Sequence, residues 1–377
     1  MFCYIAGGCA EHGRNCFLIE GDNTAILLDC GLMKELTGLP FPRLEPEQVR
    51  RVDYLFLSHC HFDHTGALLW LYEKGFRGRV VASSYTLDQL PGRAADAIVI
   101  DEIAKPGEWV EIGGKLRVKW GRTGHCLGST WFLVEMEKKR ILYTGDYAEH
   151  TAAYKVDKIR DVRADLGLID AAYGDYSLDG KKNRKAFSDI LDSLIEEERP
   201  LLFPVPNHGR GLDIMRLLAD RDVPIIADPK LIRDVMWALE HQKWVRKGFI
   251  SKTDRLLEMR PITETTPEEL PARSCGILVA DTSMKKEMTG RLAQAVEKAG
   301  GKVVVTGKQL AGTRSRQMVE SGDALFLRIS VHQNKEEFLK LVRKNQISFA
   351  VPFHCRNELT FTEPRVVPMA NGEKLFF

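Results

Sequence analysis

As far as Asp170 the chain alternates short apolar runs with polar turns, and the runs carry the β-branched and aromatic residues of buried strands. Residues 24–28 stop at Asp29, residues 52–57 stop just before His59, residues 140–143 lead into Gly145-Asp146, and residues 166–169 stop at Asp170. Each run predicts a strand. Residues 79–82, 116–120 and 131–135 predict three more, and the last two flank a loop from Gly121 to Ser129 that holds His125. Residues 67–74 place apolar side chains on one helical face, and residues 86–90 predict a helical turn.

Beyond Tyr176 the pattern changes. Residues 183–198, 210–219, 231–241 and 288–299 predict helices. Residues 200–206, 223–227, 276–280 and 302–306 predict strands, and the polar, proline-bearing residues 251–273 predict loop. Strands alternating with helices predict a separate three-layer α/β unit. From about Ala324 the strand pattern of the first half returns, with a strand over 325–329, His332, a helix over 335–344, a strand over 348–352 and then His354. The pattern therefore predicts a discontinuous α/β domain, residues 1–178 and 319–377, into which residues 179–318 are inserted.

The polar residues that end the strands carry the chemistry. His59-Cys60-His61-Phe62-Asp63-His64 puts four metal-ligand side chains within six positions. Imidazole with carboxylate suits Zn²⁺ among the common metals. Asp29, His59, Asp146 and Asp170 all fall at or just past the end of an apolar strand, where layered α/β folds assemble their sites. Two ions fit the ligand count better than one: His59, His61 and His125 at the first, Asp63, His64 and His354 at the second, and Asp146 between them. A hydroxide shared by the two ions would suit phosphodiester cleavage. Asp29 is expected to orient a ligand imidazole from behind. Asp170 paired with His332 is expected to act as the general acid that protonates a leaving alkoxide, and Asp63 joins these two in the catalytic set. His12, His150, His208 and His241 lack such context, and of these His208 is the best placed for substrate.

Composition narrows the picture only a little. The 377 residues are 44% hydrophobic and 28% charged, values of a soluble globular protein, and the net charge is +2, which neither demands nor excludes a nucleic-acid partner. The basic residues Lys181, Lys182, Arg184 and Lys185, like Arg314 and Arg316, read as solvated helix faces. Eight cysteines without a CxxC pair are no disulfide framework; Cys60, Cys126 and Cys355 read as small buried hydrophobes beside ligand histidines. No signal peptide or membrane span is predicted, so a cytoplasmic protein is expected.

The hexapeptide, His125, Asp146 and Leu27-Leu28-Asp29-Cys30-Gly31 resemble the metallo-β-lactamase fold. Asp170-Ala171-Ala172-Tyr173-Gly174, the strand end at His332, and Val351-Pro352-Phe353-His354 resemble the additional motifs of the β-CASP nucleases, the group of ribonuclease J and the cleavage and polyadenylation endonuclease. Residues 204–218 resemble the group's Gly-Arg helix, and residues 303–313 its Gly-Tyr-Gln-x-x-Gly-Thr segment. The resemblance implies an αββα sandwich with an inserted β-CASP domain, two zinc ions and hydrolysis of RNA or, less often, single-stranded DNA. It implies the same ligands and the same Asp170–His332 acid pair. Departures are Gln333-Asn334 after His332, Cys355 where glycine is common, and Lys308 in place of tyrosine. No C-terminal extension of the ribonuclease J kind is expected, and a homodimer is left open. A hydrolase of a small phosphodiester, thioester or lactone is the alternative, disfavoured by the inserted unit; a non-catalytic RNA-processing scaffold would be expected to have lost ligands.

Overall fold

The computed structural model describes residues 1–33, 40–91, 96–270, 274–355 and 359–377. They form two compact units, Met1–Glu149 with Val156–Asp179 and His332–Phe377, and His150–Lys155 with Gly180–Val331.

Unit 1 is built on two sheets. Among the described residues the first runs Lys374–Phe376, Phe2–Gly7, Cys16–Glu20, Ala25–Leu28, Tyr54–Phe56, Arg79–Ala82, Ile98–Val99 in space. The second runs Gln346–Phe353, Arg163–Asp170, Lys139–Tyr143, Thr130–Met136, Leu116–Arg122, Trp109–Ile112. Strand alternation sorts the side chains between two faces. Leu18, Leu27, Leu55 and Val80 pack with Leu68 and Leu71 of helix Leu68–Glu73 and with Phe76. Leu133, Leu142, Ala164, Ile169 and Ile347 pack with Phe338, Leu341 and Val342 of helix Lys335–Lys344. On the opposite faces the sheets meet each other through aromatic rings, Phe56 against Phe132 at 5.3 Å between centroids and Phe17 against Phe353 at 5.3 Å. Each fully buried Leu or Phe of this kind contributes roughly 2 kcal/mol from apolar burial. The layers are helix, sheet, sheet, helix.

The parallel strands decide where function can lie. Ala25–Leu28, Tyr54–Phe56, Arg79–Ala82 and Ile98–Val99 run parallel, as do Lys139–Tyr143, Arg163–Asp170 and Gln346–Phe353. Their C-terminal ends deliver Asp29, Ser58-His59, Asp146, Asp170 and His354. The last of these strands comes from the far end of the chain, and its neighbour register is fixed from Arg163↔Gln346 to Asp170↔Phe353. The chain termini are also paired, Phe2 opposite Phe376.

Among the described residues unit 2 holds a parallel six-stranded sheet in the order Arg260–Pro261, Ile225–Ala227, Gly276–Ala280, Leu201–Val205, Lys302–Val305, Ala324–Phe326. Its core gathers Leu202, Ile226, Ile277, Val303 and Leu292. The sequence pattern alone puts the return to the first domain at residue 319, whereas the compact unit continues to Val331. The physical reason is that Ala324–Phe326 is the edge strand of this sheet, in register with Val303–Val305, and is therefore three residues of unit 2 rather than a strand of unit 1. Residues 150–155 also belong to unit 2. The stretch predicted as loop over 251–273 contains helix Thr253–Leu257 and strand Arg260–Pro261, with 271–273 outside the described residues. No helix among the described residues is long and apolar enough to cross a membrane.

Residues 150–155 are tied into unit 2 by the buried Asp213, whose Oδ1 accepts from the backbone N–H groups of Ala152 and Ala153 and from Thr151 Oγ1. Burial pushes the Asp213 carboxyl above its ordinary value, and the hydrogen bonds only partly offset this. Asp213→Ala leaves these donors buried without an acceptor, and we expect a loss of about 3 kcal/mol in urea unfolding. A loss below about 1 kcal/mol would show that the donors find other partners.

Candidate metal centre

Backbone contacts shape the hexapeptide before any side chain does. Strand Tyr54–Phe56 ends, and the chain turns through Ser58-His59 into the single-turn helix Phe62–Thr65, with His61 at its N-cap. The preceding strand continues as Asp29-Cys30-Gly31-Leu32 directly against that turn. Cys30 N–H donates to His64 O at 2.8 Å and Leu32 N–H to Phe62 O at 3.0 Å. Asn15 N–H donates to Asp63 O at 2.9 Å. A Cβ on Gly31 would lie 1.7 Å from Asp63 O, so only glycine permits this approach. Asp29 holds a left-handed backbone at φ 57°, and so does His354 at φ 62°. The His354 N–H donates to Gly8 O at 2.7 Å, tying the late histidine to the end of the first strand.

Every ligand-type residue singled out in the sequence lies in unit 1, and the side chains converge. His59, His61, His125 and Asp146 offer donor atoms within 4.8 Å of one another, as do Asp63, His64 and His354, and as do Asp146, Asp170, His332 and His354. His61 Nδ1 lies 3.0 Å from His59 Nε2 and 3.1 Å from His125 Nε2. Two imidazole nitrogens facing at that distance share at most one proton, so each pair presents at least one lone pair. Asp146 stands between the groups. Its Oδ2 faces His59 at 3.5 Å and His125 at 3.3 Å, and its Oδ1 faces His64 at 3.3 Å and His354 at 3.1 Å. His354 Nε2 lies 3.3 Å from Asp63 Oδ2.

The remaining predicted residues sit around this set. Asp29 is fully buried; it accepts from Ser58 N–H at 2.7 Å, from Ser58 Oγ at 2.6 Å and from the Tyr143 hydroxyl, and its Oδ2 lies 2.6 Å from His64 Nδ1. Asp170 Oδ2 lies 3.1 Å from His332 Nδ1 and also accepts from Tyr147 N–H, while its Oδ1 accepts from Ala172 N–H. The loop glycines act as the sequence suggests around His125: Gly124 and Gly128 have φ of 82° and 69°.

The electrostatics explain what such a site requires. Burial would push Asp63 and Asp146 up, but the surrounding imidazoles hold both well below the usual carboxylate range: His64 and His354 beside Asp63, and His64, His354, His332 and His125 beside Asp146. Burial, and then His64, press His59 well below the ordinary histidine value. His64 and His354 go the other way. Burial pulls each down, yet Asp146, Asp29 and Asp63 hold His64 well above its usual value, and Asp146 with Asp63 pushes His354 up to about 10. Buried carboxylates thus draw positive charge onto imidazoles that crowd one another. Metal cations remove the conflict, because they supply the charge and accept the converging lone pairs. The donor set of nitrogens and carboxylate oxygens fits a metal site.

Sequence patterns miss three supporting residues. Asn15 is buried, with its Nδ2 donating to Asp63 O at 3.1 Å and lying 3.0 Å from His64 Nε2. Ser58 and Tyr143 brace Asp29. Ser58 and Tyr143 border the recognised motifs, and that adjacency is a usable signal; Asn15 carries no signal beyond being a polar residue before an apolar strand. His12 also stands closer than its sequence context implies, its ring 5.5 Å from that of His354. Cys126 and Cys355 are buried as expected, whereas Cys60 is only partly so.

Residues 10–182 match the Metallo-beta-lactamase superfamily. The chain is 24% identical to an RNase J-like protein of Methanocaldococcus jannaschii, over 83% of this chain and 79% of that one. It is 25% identical to Cleavage and polyadenylation specificity factor 73 of Drosophila melanogaster, over 56% of this chain and 34% of that one, and 22% identical to Endoribonuclease YSH1 of Kluyveromyces lactis, over 96% and 53%. The chain therefore spans about a third to a half of the length of these last two relatives. A crystal structure of a protein of unknown function from Enterococcus faecalis V583 superposes with a TM-score of 0.64 at 12% identity, covering 99% of each chain, a likeness of fold.

Gly31→Ala tests how the hexapeptide is held. The added methyl must move the backbone at Asp63, so we expect bound metal to fall at least about tenfold at limiting metal while the chain stays folded by circular dichroism. Full metal content in this variant would mean that the Cys30–Leu32 contact does not set the ligand geometry.

Proposed function

We propose that this member of the metallo-β-lactamase superfamily, a metal-dependent hydrolase similar to β-CASP endoribonucleases, cleaves phosphodiester bonds of RNA at a centre of two zinc ions. The observation that carries the reading is Asp146, whose two oxygens face two different sets of imidazoles, His59 with His125 and His64 with His354. His59, His61 and His125 would hold one ion through neutral nitrogens, and Asp63, His64 and His354 would hold the other; the donor atoms of each set converge. Nitrogen and carboxylate donors together favour zinc over the oxygen-seeking Mg²⁺ and Ca²⁺. The ions would supply acidified water and charge stabilisation for the attacking and leaving oxygens.

The chain's own groups prepare the rest. Asp29 accepts a hydrogen bond from Nδ1–H of His64, which would leave Nε2 as the ligand atom, with Ser58 and Tyr143 holding the carboxylate in place. Asp170 likewise engages His332 Nδ1, so that a proton carried on Nε2 can pass to the departing alkoxide. The backbone N–H groups of Tyr147 and Ala172 keep Asp170 oriented toward the imidazole. RNA as substrate rests on the named activities of the similar proteins and on the general suitability of such a centre for phosphodiesters.

End-labelled single-stranded RNA and DNA, and bis(p-nitrophenyl) phosphate, are incubated with the protein with and without chelator. We expect cleavage of RNA, its loss in chelator and its return with zinc, and about two zinc ions per chain by metal analysis. Metal-loaded protein that cleaves none of these substrates would sink the reading.

The acid assignment has its own check. His332→Ala is expected to lower kcat roughly 100- to 1000-fold while metal content holds. Metal lost in proportion to activity would place His332 among the ligands instead.

A further inference from the structure

Unit 1 holds a further concave site, on the outer face of the sheet whose strands lead to Asp146 and Asp170. Trp109 pairs with Lys119 and Lys119 with Leu133, so the three side chains stand side by side on one face. Leu133 shows which face, because it shares a core with Phe338 and Leu341 of helix Lys335–Lys344. That helix packs with Ile347 and Ala350 at one edge of the sheet. Toward the Trp109 edge, residues 156–163 instead wall a cavity of about 480 Å³. Arg140 and Arg163, which line it, stand near the starts of strands Lys139–Tyr143 and Arg163–Asp170. Arg163 and Asp170 are the two ends of one strand, so roughly 20 Å separates this arginine from the metal centre.

The wall is fixed by the protein's own bonds. Arg122 donates to both oxygens of Asp157, at 2.6 and 2.8 Å, and Trp131 Nε1 donates to Asp157 O at 2.7 Å. Ile159 N–H donates to the Tyr147 hydroxyl and Val162 N–H to Asn345 Oδ1. Trp131, Leu133, Ile159 and Val162 make the lining partly apolar. The rest is cationic: Lys119, Arg140, Lys158, Arg160 and Arg163 face the cavity, against two carboxylates, Asp157 and Asp161. Asp157 is taken up by Arg122. Glu135 is shared between Arg117 and Arg140, and Glu149 between Lys158 and Arg160. Among the described residues no carboxylate lies within ion-pair distance of Lys119 or Arg163. The charged groups of Arg117, Lys119 and Arg140 lie 5.1, 5.2 and 5.6 Å from the centre of the half-buried Trp109 ring. Indole and surplus positive charge therefore occupy the same place.

Such a cavity suits a ligand that joins a planar aromatic ring to several negative charges. A nucleic-acid strand spreads one charge over each nucleotide, so the length that fits here leaves most of the cations unmatched. A polyphosphate concentrates its charges at one end of a single small molecule. We propose that this cavity binds a nucleoside di- or triphosphate, with the base beside Trp109 and the phosphates among Lys119, Arg140 and Arg163. Asp161, the remaining carboxylate, is suited to accept from the ribose hydroxyls, as acids do in dinucleotide sites. The site lies apart from the metal centre and does not rest on the nuclease reading.

The test is isothermal titration calorimetry of the full chain with ATP, run both metal-loaded and in EDTA. We expect about one ATP per chain with a Kd of about 100 μM or tighter in both conditions, and binding of adenosine and of tripolyphosphate at least about tenfold weaker. Lys119→Ala and Arg163→Ala are each expected to weaken ATP binding about fivefold or more. Trp109→Ala is expected to weaken ATP while leaving tripolyphosphate unchanged. Arg163 is exposed, so its variant is expected to fold even if removal of the Trp109 ring loosens the neighbouring core. Absence of binding at about 1 mM ATP would overturn the site, and so would affinity within about twofold of the parent in Lys119→Ala and Arg163→Ala proteins that melt like it. Tripolyphosphate held as tightly as ATP would overturn the nucleoside assignment. Binding that vanishes in EDTA would place the nucleotide at the metal centre and remove it from this cavity. Single-stranded RNA that displaces ATP in EDTA at lower concentration than ATP itself requires would give the cavity to a strand instead.

Discussion

One buried carboxylate governs unit 1. Asp146 is 2% exposed and is approached by five imidazoles, those of His59, His64, His125, His332 and His354. A charge so placed is costly unless it is matched, and protonated imidazoles packed this closely repel one another. The opposing directions of His59 and His64, neighbours whose rings are 4.1 Å apart, express that conflict in a single cluster. A well-packed interior does not retain such an arrangement for stability, since apolar residues would fill the space at lower cost. The cluster makes sense as a receptor for cations.

The fold is arranged to build this receptor from distant pieces of chain. Parallel strands from both sheets end at the same place, and each contributes one residue or one short loop. Two of the late contributors, Asp170 and His354, come from adjacent strands in continuous register. Left-handed backbone at Asp29 and His354 is sparsely populated for non-glycine residues and persists because neighbouring hydrogen bonds fix it. Strain of this kind, together with the close passage of Gly31 under Asp63, places precision in the backbone rather than in side-chain choice.

That distinction explains what the amino-acid sequence revealed. Strand ends and metal-ligand residue types are local, and the chemistry at His59–His64, His125 and Asp146 announces itself by residue type and neighbouring glycine. The α/β character of unit 1 was legible because apolar runs of strand length alternate with amphipathic helix, while its layer order came only from the family resemblance. The hairpin of Phe2–Gly7 and Cys16–Glu20 was not, because its polar and glycine-rich connection hides the pairing, and the closing strand Lys374–Phe376 is legible only through its partner. The edge strand Ala324–Phe326 looks like the strands of unit 1 in composition; only its pairing with Lys302–Val305 assigns it to unit 2. Asn15 is the clearest silent residue, since its role comes from a backbone oxygen and an imidazole remote in sequence.

The same geometry couples metal to folding. The ligand-type residues run from His59 to His354, so any ion held by Asp63, His64 and His354 closes a loop that includes all of unit 2 in the chain. Loop-closure entropy grows only slowly with length, so the inserted unit adds little to the cost of bringing His354 home. A cation bound to the native state alone stabilises it by an amount set by its concentration over Kd, about 4 kcal/mol at a thousandfold excess. Removing the ion returns the unmatched carboxylates and crowded imidazoles at one stroke. The segment with most to lose is the one that depends most on contacts remote in sequence, the stretch that carries His354 back to Gly8 after an entire α/β unit has intervened in the chain.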